Sequence, residues 1–167
     1  RFSRRATGWR PRCSEDAVAT NIKYDFDEFE PGDAVRNLEN IKVFAKRFML
    51  QDTVWFKEKS VPMAFDSESP SGGDSDLQTN NKGMVLIVST DDERSDPNDH
   101  EQGGQLIFKF LKPATVNRLV VLDAESGGFV RVFHANGTVK YAIPETNDGG
   151  RTTIQIAETD VYKMTVQ

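Results

Sequence analysis

The chain reads as all-β, an antiparallel β-sandwich of jelly-roll kind with about eight to ten short strands and at most one short helix. Three observations predict it. Segments rich in β-branched and aromatic residues recur at short, fairly regular intervals, each bounded by Gly, Pro, Asn or Asp. Nothing from Gly83 onward carries the period of a long helix. One hairpin is explicit, because Ala135-Asn136-Gly137 separates two such segments and Asn-Gly supplies the positive φ angles of a tight turn.

Residues 1–20 read as an extended basic arm and residues 21–167 as a single β-sandwich domain, since 167 residues suffice for one substantial core. The first 12 residues hold Arg1, Arg4, Arg5, Arg10 and Arg12 and no acid. With the whole chain at −5, the remainder carries −10. Such an arm predicts docking on an acidic protein subunit, a second copy of the chain included, through Arg4, Arg5, Trp9, Arg10 and Arg12. An Arg/Ser-rich targeting remnant and a solvated tail are the other readings of the same residues. The acidic body would repel phosphates and no aromatic-basic interleaving follows the arm, so nucleic acid is not an expected partner. Cys13 is the only cysteine, which excludes an internal disulfide framework and a multi-cysteine zinc site and leaves a free thiol or an intermolecular link. No apolar run approaches membrane-spanning length, so membrane insertion is not expected. The chain opens on Arg1, as a processed product does once a targeting signal has been cut.

After the arm, Tyr24–Phe29 alternates aromatic and acidic residues and predicts a short half-buried strand, ended by Pro31-Gly32. Asp33 is placed to cap a helical turn through Asn40, with Val35, Leu38 and Ile41 on one face, before a strand through Val43, Phe44 and Phe48. One amphipathic helix over residues 33–48 is the alternative. Strands are then expected at Val54–Lys57, Val61–Phe65, Met84–Ser89, Gln105–Phe110, Thr115–Asp123, Phe129–His134, Thr138–Ile143, Thr152–Ala157 and Val161–Val166. Trp55, inside a strand, is expected in the core.

Candidate chemistry lies in the loops. Phe65–Leu77 breaks from an apolar strand into acids, hydroxyls and glycines, and its oxygen-only donors, Asp66, Asp74 and Asp76 among them, suit a hard cation such as Ca²⁺. Asp and Ser side chains capping their own turns explain the same residues. Ser89–Gly104 is a second acidic loop, whose Asp96 and Asp99 would share a cation with the first if both lie at one edge. Asp123 closes the run LVVLD, where a buried carboxylate needs a partner or a metal and an exposed one starts a turn. Asn136-Gly137-Thr138 is also a glycosylation sequon, with Asn136 as acceptor. His100 and His134 have no nucleophile partner in a recognisable context, and no phosphate-binding glycine loop opens a helix, so an enzyme is not expected. Plentiful carboxylates keep a glycoside-processing enzyme as a further alternative.

The passage VPMAFDSESPSGGDSDL, with GMVLIVST, GGQLIFKF and VNRLVVLDAESGGFVRVFHANG after it, resembles a family of β-sandwich domains in bacterial and algal secreted or surface proteins. The resemblance covers roughly residues 24–166. Phe65, Asp66, Ser67, Pro70, Gly72, Gly73, Asp74, Asp76 and Leu77 match its FDS-x-x-P-x-GGD-x-DL loop, and Asp123 matches the end of its LLD strand. It implies a non-catalytic module of extracellular type, and a structural or adhesion role in a secreted or cell-surface protein is the function expected. The arm, read as a targeting remnant, gives a plastid as the alternative location. A carbohydrate-binding module is the rival function.

Overall fold

The computed structural model describes residues 22–167 apart from Gly72, Asp74, Asn81 and Lys82. The described residues are all-β, with nine strands in two antiparallel sheets and one 3-10 turn. In order they are β1 (Asn37–Leu38), β2 (Ile41–Gln51), β3 (Val54–Ser60), β4 (Pro62–Asp66), the 3-10 turn (Ser75–Leu77), β5 (Met84–Val88), β6 (Gly104–Leu122), β7 (Gly128–His134), β8 (Gly137–Ile143) and β9 (Arg151–Val166).

The large sheet runs β1-β2-β6-β9-β7-β8, and β3 pairs with the same edge of β2 as β1. Period-two alternation decides its faces. One rung of register, Val43, Phe108, Met164 and Val132 on adjacent strands, points into the main core. The neighbouring rung, Lys42, Lys109, Lys163 and Phe133, points out.

Two long strands replace four short ones. Gln105–Phe110 and Thr115–Asp123 fuse into β6, and Thr152–Ala157 and Val161–Val166 fuse into β9. Pro113 and the polar residues 158–160 that separated them mark bulges instead. Register slips between Lys109 and Ala114, where Pro113 has no N–H to give the ladder, and twice more by Arg118. On the β9 side the extra residues include Ala157 at φ 52° and Asp160 at φ 54°. The bent ribbon beyond these bulges turns Val116, Leu119, Val121, Ile154 and Ile156 into the core shared with the large sheet, which makes the fold sandwich-like.

The small sheet, β4-β5, is buried on both sides. Ala64 and Leu86 join the main core, while Met63, Phe65 and Ile87 form a second cluster closed by Leu77 of the 3-10 turn. Residues 22–32 and 33–40 depart from expectation. Tyr24–Phe29 is no strand: Phe26 takes φ 62°, Phe29 N–H bonds Phe26 C=O at 3.0 Å, and the three aromatics pack on the main core from a turn. Their apolar spacing reports burial without a ladder partner. Asp33–Asn40 forms no helical turn, because Ala34 bridges Met63 and Asn37–Leu38 pairs back on Ile41–Lys42, satisfying the backbone by sheet pairing.

The hairpins also exchange geometries. Asp52 and Thr53 carry the positive φ angles, 48° and 70°, whereas neither Asn136 nor Gly137 does, although Ala135-Asn136 does close the β7-β8 hairpin. Trp55 lies in β3 as expected but is 59% exposed, because its register opposite Leu50 sets it on the outward face of the sheet, on a strand that pairs only with β2. No helix among the described residues is long and apolar enough to cross a membrane.

Two substitutions test this packing. Phe65→Ala, at a side chain with 0% exposure, is expected to cost about 3–5 kcal/mol in urea unfolding. Ala157→Gly should stabilise by up to about 1 kcal/mol, since the left-handed penalty removed outweighs the glycine entropy gained by the unfolded chain.

Candidate functional site

Most acids of the two loops are engaged in holding turns. Asp66 Oδ1 accepts from Glu68 N–H at 2.9 Å and Ser69 N–H at 3.2 Å, the turn-capping role of an Asp at a strand end. Ser67 is fully buried and donates to Gly83 C=O through both N–H, at 3.0 Å, and Oγ, at 2.8 Å. Phe65 and Leu77 are core, Pro70 is half-buried, and Gly73 at φ 83° turns the loop with nothing near its Cβ position. The loop named by its acids therefore acts as the cover of β4.

The second loop joins the small sheet to the large one and is tied down along its length. Asp92 Oδ1 accepts from Val61 N–H at 3.0 Å at the corner between β3 and β4, with Arg47 Nη1 at 3.7 Å. Arg94 bonds Gly32 C=O at 2.9 Å and Asp33 Oδ1 at 2.6 Å. His100 lies with Nε2 2.6 Å from Phe48 C=O and Nδ1 3.1 Å from Thr90 Oγ1, so its Nε2–H donates and Nδ1 accepts in the neutral ring. Ser71 Oγ donates to Pro97 C=O at 2.9 Å, which links the two acidic loops.

A different set of acids converges at the end of β6. Asp123, Glu125 and Asp148 each offer a carboxylate oxygen, and these oxygens lie within 4.8 Å of one another. The clasp that brings them together hangs on backbone N–H donors: Asp123 N–H bonds Gly150 C=O at 2.8 Å, Thr146 Oγ1 accepts Ala124 N–H at 2.8 Å, and Asp123 Oδ1 accepts Gly149 N–H at 3.1 Å. Gly149, at φ 60°, admits the 3-10 turn beside it, since a Cβ there would sit 2.6 Å from Gln78 C=O and 3.3 Å from Asp76 C=O. Asp76 thereby reaches the same edge. An open depression beside it is lined by Glu125, Glu145, Thr146, Asn147 and Asp148.

Charge crowding sets the electrostatics. Burial raises the Asp123 carboxyl above the ordinary carboxylate range, the Gly149 N–H opposes it, and Asp76 and Asp148 raise it further. Glu125 is raised first by its hydrogen bond with Asp148, then by the negative charges of Asp148, Asp123 and Asp76. The donor set is oxygen only, which suits a hard cation and disfavours zinc or copper.

Of the expected ligands, Asp123 belongs to this group and Asp76 neighbours it, whereas Asp66, Asp96 and Asp99 are not members. Asp74, with Gly72 and the arm residues Arg4, Arg5, Trp9, Arg10 and Arg12, lies outside the described residues. Glu125 and Asp148 went unread in the sequence, each being one ordinary acid in a turn. Asn136 is exposed on its hairpin. His134 Nε2 lies 3.4 Å from Glu158 Oε2, and Tyr141 OH donates to Glu158 Oε1 at 2.5 Å. That bond, with burial, pushes the phenol up to about 12. No family model, curated protein or solved structure matches the chain.

Because the Asp123 and Glu125 carboxyls are raised, the folded state holds their protons more tightly than the unfolded chain, and this edge opposes folding above those pKa values. Asp148→Asn should therefore raise Tm at pH 7 by about 1–3 °C, a gain that shrinks as the pH falls and the Asp123 and Glu125 carboxyls take up protons. Circular-dichroism melts of both proteins across that range measure it.

Proposed function

We propose that the chain is a non-catalytic structural or adhesion module of a surface or assembly protein, in which Ca²⁺ stiffens the acidic edge and the Arg-rich arm contacts a neighbouring subunit. The observation that carries this reading is the convergence of three loops, far apart in sequence, on the edge formed by Asp76, Asp123, Glu125 and Asp148. A divalent cation there would neutralise mutually repelling carboxylates, join the 3-10 turn to the β6-β7 and β8-β9 turns, and stabilise the chain by binding only its folded form. The arm's Arg4, Arg5, Arg10 and Arg12 are complementary in charge to the acidic loops of a second copy. The resemblance of the FDS loop to secreted and surface β-sandwich domains supports the same class, at the cell surface or in a plastid.

A carbohydrate-binding module is the second reading. It is favoured by Trp55, exposed on a sheet edge opposite Leu50, which is 48% exposed and shares its side of the sheet, an apolar pair in water that marks an interaction surface.

Ca²⁺ a hundredfold above its Kd is expected to raise Tm by about 5–10 °C, and Asp123→Asn with Asp148→Asn should abolish the rise. A melt unchanged by Ca²⁺ and chelator would remove the cation from the proposal. Replacing Arg4, Arg5, Arg10 and Arg12 by Ala should reduce the sedimenting mass, and an unchanged mass would remove the arm.

A further inference from the structure

The outward face of the large sheet breaks the rules of cross-strand pairing. Lys42 stands directly opposite Lys109, Lys109 opposite Lys163, Lys46 opposite Lys59, and Arg131 opposite Lys140. Like charges so placed destabilise a sheet. With Lys57, which follows in register beside Phe48, these make eight cations on one face, and in that register none of the strand residues between them is Asp or Glu. The chain as a whole is at −5, so the face opposes the average charge of its own protein. Local rules broken in concert, without a gain in packing, point to a binding surface.

The rings on this face hold the cations in place. Lys57 Nζ lies 4.8 Å from the Phe48 centroid, Lys109 5.0 Å from Phe44 and Lys163 3.5 Å from Phe133. Arg131 and Lys140 both lie over Phe129, at 4.6 and 4.1 Å. Ring faces covered in this way hold charge outward and are poor platforms for stacking nucleobases. Crowding is felt at Lys57, whose pKa is lowered by burial first and by Lys46 and Arg131 after it.

Beside Lys57 the face changes character. Phe48, Trp55, Phe56, Lys57 and Gln167 line a small hollow. Lys57 Nζ donates to Gln167 Oε1 at 3.3 Å and lies 3.5 Å from Gln105 Oε1, so two amides and an ammonium sit next to an exposed indole. An aromatic wall with amide and ammonium groups suits a sugar ring, apolar on one face and hydroxylated at its rim.

We propose that this face binds an anionic polysaccharide, a chain bearing carboxylates or sulfates on successive sugars, with one sugar seated against Trp55. The proposal rests on the carbohydrate-binding reading and names its ligand class. Neighbouring strands stand about 4.8 Å apart, close to the length of one pyranose unit, so the row Lys42, Lys109 and Lys163 presents one cation per sugar. The eight like charges that weaken the free sheet are neutralised by the ligand they recognise.

The test is affinity electrophoresis of the full chain in gels containing polygalacturonate, heparin or neutral dextran, with (dT)20 as competitor. Polygalacturonate or heparin should retard the protein at low salt and lose it at 0.5 M salt, as about 4 Å of screening length predicts, with the stronger of the two telling carboxylate from sulfate. Lys109→Gln with Lys163→Gln should weaken retention at least about tenfold while leaving the ligand-free Tm unchanged or higher, because it relieves a like-charge pair. Trp55→Ala should weaken retention without lowering Tm. Equal retention of wild type and the double variant overturns the proposal, as does displacement by (dT)20 at concentrations below those of either glycan, which would make the partner a nucleic acid. Retention by dextran alone overturns it while leaving the carbohydrate reading standing; no retention by any glycan overturns both.

Discussion

The β6-β9 ladder is the constraint on which the rest depends. Its first half, Leu106–Lys109 against Lys163–Val166, is the centre of the large sheet, with β2 on one side and β7 on the other. Its second half, Ala114–Leu122 against Arg151–Val161, bends at the bulges and supplies the layer that covers that sheet. One pair of strands thus belongs to both layers, and the sandwich closes without a separate connection. The strained backbone at Ala157 and Asp160 is held by this arrangement, since the slip across Pro113 leaves its surplus residues on β6 and the two slips that follow place the extra residues on β9. The ladder also ends at Asp123, which is why the acidic turns gather there.

Charge is sorted by layer. Acids with backbone partners, such as Asp66 and Asp92, secure the loops that carry the chain into and out of the small sheet. Acids that crowd one another collect at the edge where the ladder ends. Cations take the outer face of the large sheet, over aromatic rings that in a two-sided sandwich would have been core.

Much of the fold was legible. Every strand expected from Val54 onward overlaps an observed one, with only Val61, Ser89 and Asp123 falling outside at the ends, because β-branched and aromatic alternation reports a pleated surface whatever its partner. What misled was punctuation. Pro113 and the polar residues 158–160 read as ends of strands and proved to be bulges within them. In Tyr24–Phe29 and Asp33–Asn40 the apolar residues are buried as expected, yet their backbones are satisfied by a turn and by sheet pairing. The acidic edge was half legible: Asp76 and Asp123 stood out by their settings, while Glu125 and Asp148 carry no local mark.

By itself the sequence determined that strands would form, where most of them would lie, and which residues of each would share a side, because side-chain alternation is a local property of an extended backbone. Only the tertiary structure decided which strands are neighbours. Lysines at positions 42, 109 and 163 are scattered in sequence, and each alone is an ordinary solvated strand residue. Pairing β2, β6 and β9 in one register sets them in a row, and the same pairing delivers Asp123 to Asp148. Surfaces of this kind come from long-range register, which no window of a few residues encodes.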